Sequence, residues 1–190
     1  MKNEKEPVIV KIYNEKLIDS LTLNSTTSIN ISLIHVNISK TYHFIKNLNM
    51  VVMEYINNGL LSKFVVLNKN HLQEKYSFLI IMQIIQCIDY LHNTKKISHN
   101  NLTIDKFLVN EKFELKLTEL SNKEYNKSPN IELFAAPEIK INDILKKKTD
   151  YFKCDIYSLG ILFYFVLNKE YPKIRNNKKK SNLYDKNKLN

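Results

Sequence analysis

Residues 97–109, with the sequence ISHNNLTIDKFLV, form the stretch on which the interpretation of the whole chain depends. Before them, in residues 71–92, apolar side chains recur at i, i+3/i+4 and i+7, which predicts a helix that buries a broad stripe. After them, a predicted strand hairpin begins at residues 107–109. The stretch is therefore expected to be a polar loop between a buried helix and two short strands.

This loop resembles the catalytic loop of protein kinases, H-R-D-L-x-x-x-N, because His99 and Leu102 occupy two of its positions. The working residues differ: Asn101 replaces the Asp, Thr103 replaces the Lys, and Lys106 replaces the metal-binding Asn. An amide has no carboxylate to accept a substrate proton. A lysine ~4 Å from a divalent ion costs on the order of 8 kcal/mol of repulsion at an effective dielectric of about 20. The resemblance implies a loop that has lost its chemistry and binds no metal.

Three further motifs follow in the order of the kinase family. Residues 116–121, KLTELS, match K-L-x-D-F-G with only the acid kept; residues 136–138 match A-P-E; and residues 155–161, DIYSLGI, match the start of the central large-lobe helix. The residues singled out are Glu119 at the acid position, the structural motif Ala136, Pro137 and Glu138, and the helix residue Asp155. In the family Asp155 would accept hydrogen bonds from the backbone of the loop, and His99 would pack as a core histidine. We hypothesise that Glu119 pairs with Lys106 or Lys11 in place of a metal ion.

Upstream, two more stretches resemble kinase strands. Residues 8–11, VIVK, match the third strand and its phosphate-binding Lys11, and residues 50–55, MVVMEY, match the fifth strand entering the hinge at Glu54 to Ile56. Leu108 would form the floor of an adenine site in a nucleotide-binding relative, although burial in a strand explains it equally well. These are remnants of a nucleotide site, because a chain with two glycines has no Gly-rich loop to cradle phosphates. We predict no cofactor.

The helix expected within residues 14–34 is predicted to be short or irregular. Its residues 24–28, NSTTS, are poor helix formers. The glutamate that pairs with Lys11 in active kinases would fall near Ser25, so that pair is expected to be missing.

The predicted fold class is therefore α+β, a truncated protein-kinase-like fold. Residues 1–56 would be a small β-rich lobe lacking the first strands and the Gly-rich loop. Residues 57–172 would be a mainly α-helical lobe lacking its last helices, and residues 173–190 a polar basic tail.

Within the kinase family, several local features resemble the pseudokinase domain of mixed lineage kinase domain-like protein and its poxvirus homologues. They are the His99-x-Asn101 triplet followed by F-L-V, the D-F-G position followed by Ser, and M-E-Y before Gly59. The resemblance implies a catalytically inactive viral decoy that binds a host receptor-interacting protein kinase in the cytoplasm and inhibits necroptosis. A pseudokinase scaffold in innate immunity or a chromatin-linked process remains an alternative, as does an atypical active kinase. The candidate docking residues are Tyr157, Leu159 and Phe163, for which core packing is the competing interpretation.

Composition supports a globular chain of one domain. Hydrophobic residues make up 44% and charged residues 25% of 190 residues. The net charge is +10, but Arg175 is the single arginine among 29 basic residues, so an A/T-rich coding bias explains the charge better than nucleic-acid binding. Two cysteines, Cys87 and Cys154, fall inside predicted helices and are expected to be reduced and buried. No signal segment, membrane span or metal-ligand spacing is recognised.

Overall fold

The computed structural model describes residues 6–14, 20–118, 120, 131–139 and 148–173. An antiparallel sheet opens the chain, formed by β1 (Val8–Ile12), β2 (Thr41–Ile45) and β3 (Met50–Glu54) in the order β1-β3-β2. β3 is central, and its alternate residues Val51 and Met53 are buried. The strands predicted at residues 8–11 and 50–55 are confirmed.

Between β1 and β2 lies α1 (Ser20–Ser32), a helix of 13 residues. The expectation of a short or irregular helix is wrong. Hydroxyls along the helix donate to carbonyls three or four residues earlier, so the side chains that weaken helical propensity are satisfied within it: Ser25, Thr27, Ser28 and Ser32. Leu23, Thr27 and Asn30 are buried on one face, and this tertiary packing outweighs the unfavourable propensity of the residues.

The rest of the described chain is mainly helical. Its elements are α2 (Leu61–Leu67), α3 (Glu74–Asp89) with a π-helical turn Tyr90–Thr94, the hairpin β4 (Phe107–Val109) and β5 (Leu115–Leu117), the short helix α4 (Ile131–Phe134), and α5 (Tyr151–Asn168). Two elements end at a residue with positive φ. Asn49 ends the 3₁₀ turn that precedes β3, and Lys169 follows α5. No helix within the described ranges has the length and apolarity needed to cross a membrane.

One large hydrophobic core joins the hairpin to α2, α3 and α5. Its fully buried side chains include Leu61, Ile84, Leu102, Phe107 and Leu162. The segment after α1 runs beside β5, where Leu117 donates to the Asn37 carbonyl at 2.8 Å and Ser39 donates to the Leu117 carbonyl at 2.9 Å. This contact connects the sheet to the helical part and leaves the loop of residues 97–103 between α3 and β4, facing the first turns of α5.

Candidate functional site

Asp155 in α5 organises the loop. Its carboxylate, on a residue only 1% exposed, accepts the backbone N–H of His99 at 2.7 Å and that of Asn100 at 3.0 Å. Asn100 has φ +67°, a left-handed conformation that asparagine tolerates better than most residues. The structure thus places Asp155 where the kinase resemblance puts it, holding the loop by its backbone.

A second histidine contacts the same carboxylate. His92, in the π-helical turn after α3, has Nε2 2.8 Å from Asp155 Oδ2, and its ring packs edge-on against Phe152 of α5 with centroids 5.0 Å apart. Sequence analysis did not select His92. Its position in the sequence could have indicated this contact, because His92 lies at the end of a long helix that leads directly into the loop. The last turn of such a helix lies close to the loop.

His99 is buried, with 1% of its surface exposed. Its Nδ1 accepts the backbone N–H of Asn101 at 3.3 Å, so the ring proton belongs on Nε2, which has no hydrogen-bond partner among the described residues. Burial lowers the pKa of His99 to about 4, against the opposing influence of the Asp155 carboxylate. The ring is therefore neutral near pH 7 and fits a packing role.

The three altered loop positions lie close together along the backbone. Asn101 and Thr103 are buried, at 6% and 4% exposure, and Lys106 is half-buried. The backbone carbonyl of Thr103 accepts the N–H of Lys106 at 3.1 Å, which closes a 3₁₀ turn. The Lys106 carbonyl accepts both the N–H of Thr118 at 2.8 Å and its hydroxyl at 3.0 Å. Glu119 lies outside the described residues, so its hypothesised ion pair with Lys106 or Lys11 stays a prediction.

The A-P-E motif packs on the start of α5. Ala136 is fully buried against Cys154, Pro137 is exposed, and Glu138 is half-buried with its carboxylate 3.8 Å from the Cys154 thiol. Burial, and then the nearby Glu138 carboxylate, raise the pKa of Cys154 to about 11. A small cavity between the loop and α5 has a volume of about 10 Å³, about the size that one water molecule needs.

The residues that would remain from a nucleotide site lie on β1, after β3 and on β4. Lys11 is half-buried on β1, Ile56 is buried, and Leu108 is half-buried on β4 opposite Lys116. Lys116 Nζ lies 3.2 Å from Glu54 Oε1, with 10% and 22% of the two side chains exposed. Glu54 also accepts the N–H of Lys40 at 3.0 Å.

Lys116 was not selected from the sequence, because nothing in a pattern links residues 54 and 116. The mostly buried ion pair between Glu54 and Lys116 ties the end of β3 to the hairpin. In kinase terms, it joins the predicted hinge to the large lobe.

Asn30 links α1 to the D-F-G position. Its side-chain oxygen accepts the N–H of Leu120 at 3.1 Å, and both residues are buried, at 8% and 5% exposure. Ser25, near which the family glutamate would fall, is exposed and bonds the carbonyl of Thr22 at 3.0 Å. Sequence reasoning missed Asn30, whose buried polar side chain on the inner face of α1 could be located only once the helix and its packing were known.

The candidate docking residues do not share one surface. Tyr157 is 42% exposed and Phe163 is partly buried. Leu159 is 8% exposed and belongs to the core with Leu162 and Val166, because these positions lie on the inner face of α5. Leu159 is therefore unavailable to a partner, and that part of the prediction is wrong.

Within the described ranges, no group of three or more His, Cys, Asp or Glu side chains could hold a metal ion. The acid at position 119 is not among those residues.

The arrangement of a small antiparallel sheet, a long helix leading into a loop, a strand hairpin and a central helix defines a protein-kinase-like fold. A crystal structure of Rad53 residues 1–466 in complex with AMP-PNP matches 90% of this chain and 43% of that chain, with a TM-score of 0.70 and 24% sequence identity. The predicted α+β kinase-like fold is confirmed, and the chain corresponds to part of the matched structure.

The family model for protein tyrosine and serine/threonine kinase matches residues 1–190. The chain belongs to this family. A protein of Acanthamoeba polyphaga mimivirus, named as a serine/threonine-protein kinase, is 30% identical over 86% of this chain and 63% of its own length. Calcium-dependent protein kinase 6 of Plasmodium berghei is 30% identical over 86% of this chain and 11% of its own length. The chain thus spans less than two thirds of these relatives, one of which is viral.

Proposed function

We propose that this chain is a pseudokinase, a kinase-family protein that transfers no phosphate and acts by binding another protein. One observation carries the proposal: the loop keeps the backbone contacts of Asp155 but has amide, hydroxyl and ammonium groups at Asn101, Thr103 and Lys106. A scaffold held in place without its reacting groups is suited to recognition.

The chemistry of the loop supports this proposal. Phosphoryl transfer needs a carboxylate to orient the attacking hydroxyl and a metal ion held beside the phosphates. Asn101 offers an amide, and Lys106 brings a positive charge to the position of a metal ligand. His99 cannot take over as the base, because its ring is buried, its Nδ1 is already bonded, and its pKa is about 4.

The test compares the wild-type chain with a variant that restores three loop residues, Asn101→Asp, Thr103→Lys and Lys106→Asn. The wild type is expected to transfer no labelled γ-phosphate to itself or to a general substrate such as myelin basic protein. Magnesium ATP is also expected to leave its melting temperature unchanged, whereas the restored variant regains a metal ligand and should bind magnesium ATP more tightly. Phosphate transfer by the wild type, above that of a heat-denatured sample, would overturn the proposal in favour of an active kinase. That second candidate is favoured by the kinase names of the relatives.

For the partner, we propose a host receptor-interacting protein kinase, sequestered in the cytoplasm so that necroptosis is inhibited. The support is the motif resemblance at His99, Asn101 and Gly59, together with kinship to a viral protein. The experiment is a pull-down of the tagged chain from cells undergoing necroptosis, with cell survival scored in the same wells. Binding with rescued survival supports a decoy. If the kinase does not bind and cell death is unchanged, this partner is excluded, and the alternative of a scaffold in another pathway is favoured.

Tyr157 offers a surface test of that interaction. Tyr157→Lys places a charge on the exposed side of α5, and Tyr151→Lys is a matched control because Tyr151 is 39% exposed on the same helix. Loss of partner binding in the first variant alone would assign the docking surface to the middle of α5. Equal binding by both variants would exclude it.

A further inference from the structure

α3 has an apolar face turned to solvent, opposite the side that it buries. Phe78, Leu79, Met82 and Ile85 form this outer face and are 54%, 58%, 50% and 39% exposed. Because they recur at three- and four-residue spacing, they lie on one side of the 16-residue helix, while Ile80, Ile84 and Ile88 lie on the other. At about 200 Å² for a large side chain, half-exposed, the outer face presents roughly 400 Å² of apolar surface.

Apart from Phe78, whose mirror position is the exposed polar residue Gln86, the outer face is symmetric about Met82. Leu79 lies three residues before Met82 and Ile85 three residues after it, and the exposed charged residues Lys75 and Asp89 lie seven residues before and after it. Seven residues are close to two helical turns, so both charges lie on the same side as Met82, about 10 Å away along the axis in each direction. Opposite charges therefore stand at the two ends of one apolar stripe.

This symmetry fits a second copy of the same helix in antiparallel orientation. With Met82 on a twofold axis, Leu79 faces Ile85 of the second copy, and Lys75 faces its Asp89, in two equivalent contacts. A parallel arrangement would bring Lys75 against Lys75 and Asp89 against Asp89, which is repulsive. The charges therefore select the antiparallel pairing, and the apolar side chains supply the contact area.

We propose that this chain forms a homodimer through the outer face of α3, with Met82 at the twofold axis. The roughly 400 Å² of apolar surface is about half of the ~800 Å² per partner that standard interfaces bury, which favours a weak, concentration-dependent dimer. The C-terminal residues 174–190 suit this face less well, since they include five lysines and one arginine but only four large apolar residues.

Sedimentation velocity of the full chain, from about 1 µM to about 200 µM, tests the dimer. We expect the dimer fraction of the wild type to rise with concentration. Met82→Lys would bring two ammonium groups together at the axis and should weaken association at least tenfold. The matched control is Leu67→Lys, because Leu67 is 80% exposed and belongs to α2, a different helix from the proposed contact. Circular dichroism checks that both variants fold.

Two further variants test the geometry. Lys75→Asp or Asp89→Lys alone should weaken the dimer several-fold, and the double exchange should restore it, because each exchanged pair is again opposite in charge. Met82→Cys should give a disulfide-linked dimer on mild oxidation, and Leu67→Cys should not, since only residue 82 meets its own copy. A wild type that stays monomeric throughout, or a Met82→Lys variant that dimerises as tightly as the wild type, would overturn the proposal.

Discussion

Asp155→Ala should destabilise the protein severely, because three groups depend on that carboxylate. The substitution removes the acceptor of two backbone N–H groups, those of His99 at 2.7 Å and Asn100 at 3.0 Å, and the contact with His92 at 2.8 Å. A buried donor left without an acceptor costs about 1–3 kcal/mol. We therefore expect the free energy of unfolding to fall by about 4 kcal/mol, and the melting temperature by about 8–16 °C for a chain of this size.

Urea unfolding followed by circular dichroism measures this loss. Asp150→Ala is the control, because Asp150 lies at the beginning of the same helix but is exposed, with the Lys153 N–H at 3.4 Å and its ammonium at 3.5 Å. An exposed cap and ion pair of this kind is worth about 1 kcal/mol or less. If the two alanine variants lost the same free energy, the claim that Asp155 holds the loop would be refuted.

Three other outcomes are expected. The pKa of His99 is about 4 in the folded protein and 6.5 in the unfolded chain, so the unfolded state binds more protons between these two pH values. The free energy of unfolding should therefore fall by about 3 kcal/mol as the pH falls from 6.5 to 4. Urea unfolding should show a smaller loss in His99→Gln, and an equal loss would contradict the assignment. Burial raises the pKa of Cys87 to about 12, and Cys154 is buried too. Both thiols should therefore react with a thiol reagent only after unfolding. Fast labelling of the native chain would show that they are not buried. Glu54→Ala should cost about 3 kcal/mol, because it leaves the Lys116 ammonium, 10% exposed, without its ion-pair partner. Lys116→Met should cost less, because the Glu54 side chain is more exposed, at 22%, and still accepts the N–H of Lys40. The reverse order in urea unfolding would argue against the ion pair.

Sequence patterns predicted the strands, the long helix and the position of the loop because each depends on local periodicity. The i, i+3/i+4 spacing of residues 71–92 predicted α3, whose buried residues include Ile84 and Ile88. The place of Asp155 followed from a motif in which backbone geometry and helix position recur together. Such features need no knowledge of which distant residues meet.

The remaining features depend on contacts between distant parts of the chain. α1 forms against its propensity because Leu23 and Asn30 are buried and its hydroxyls bond its own carbonyls. For Leu159 the sequence left both a docking surface and core packing open, because a 3.6-residue period does not show which face of a helix is buried until the packing partner is known. The structure places Leu159 in the core. The pair of Glu54 and Lys116 joins residues far apart in sequence and has no local pattern.

The contact between the loop and α5 also sets how long the loop stays closed. Backbone amides in irregular segments usually exchange with deuterium through small local openings. The amides of His99 and Asn100 are instead bonded to a buried carboxylate 56 and 55 residues further along the chain. Releasing them requires α5 to separate from the loop and exposes core residues such as Leu162. We therefore expect these two amides to exchange only about as fast as the native state unfolds. The loop, although it has no regular secondary structure, should then be one of the slowest parts of the molecule to open.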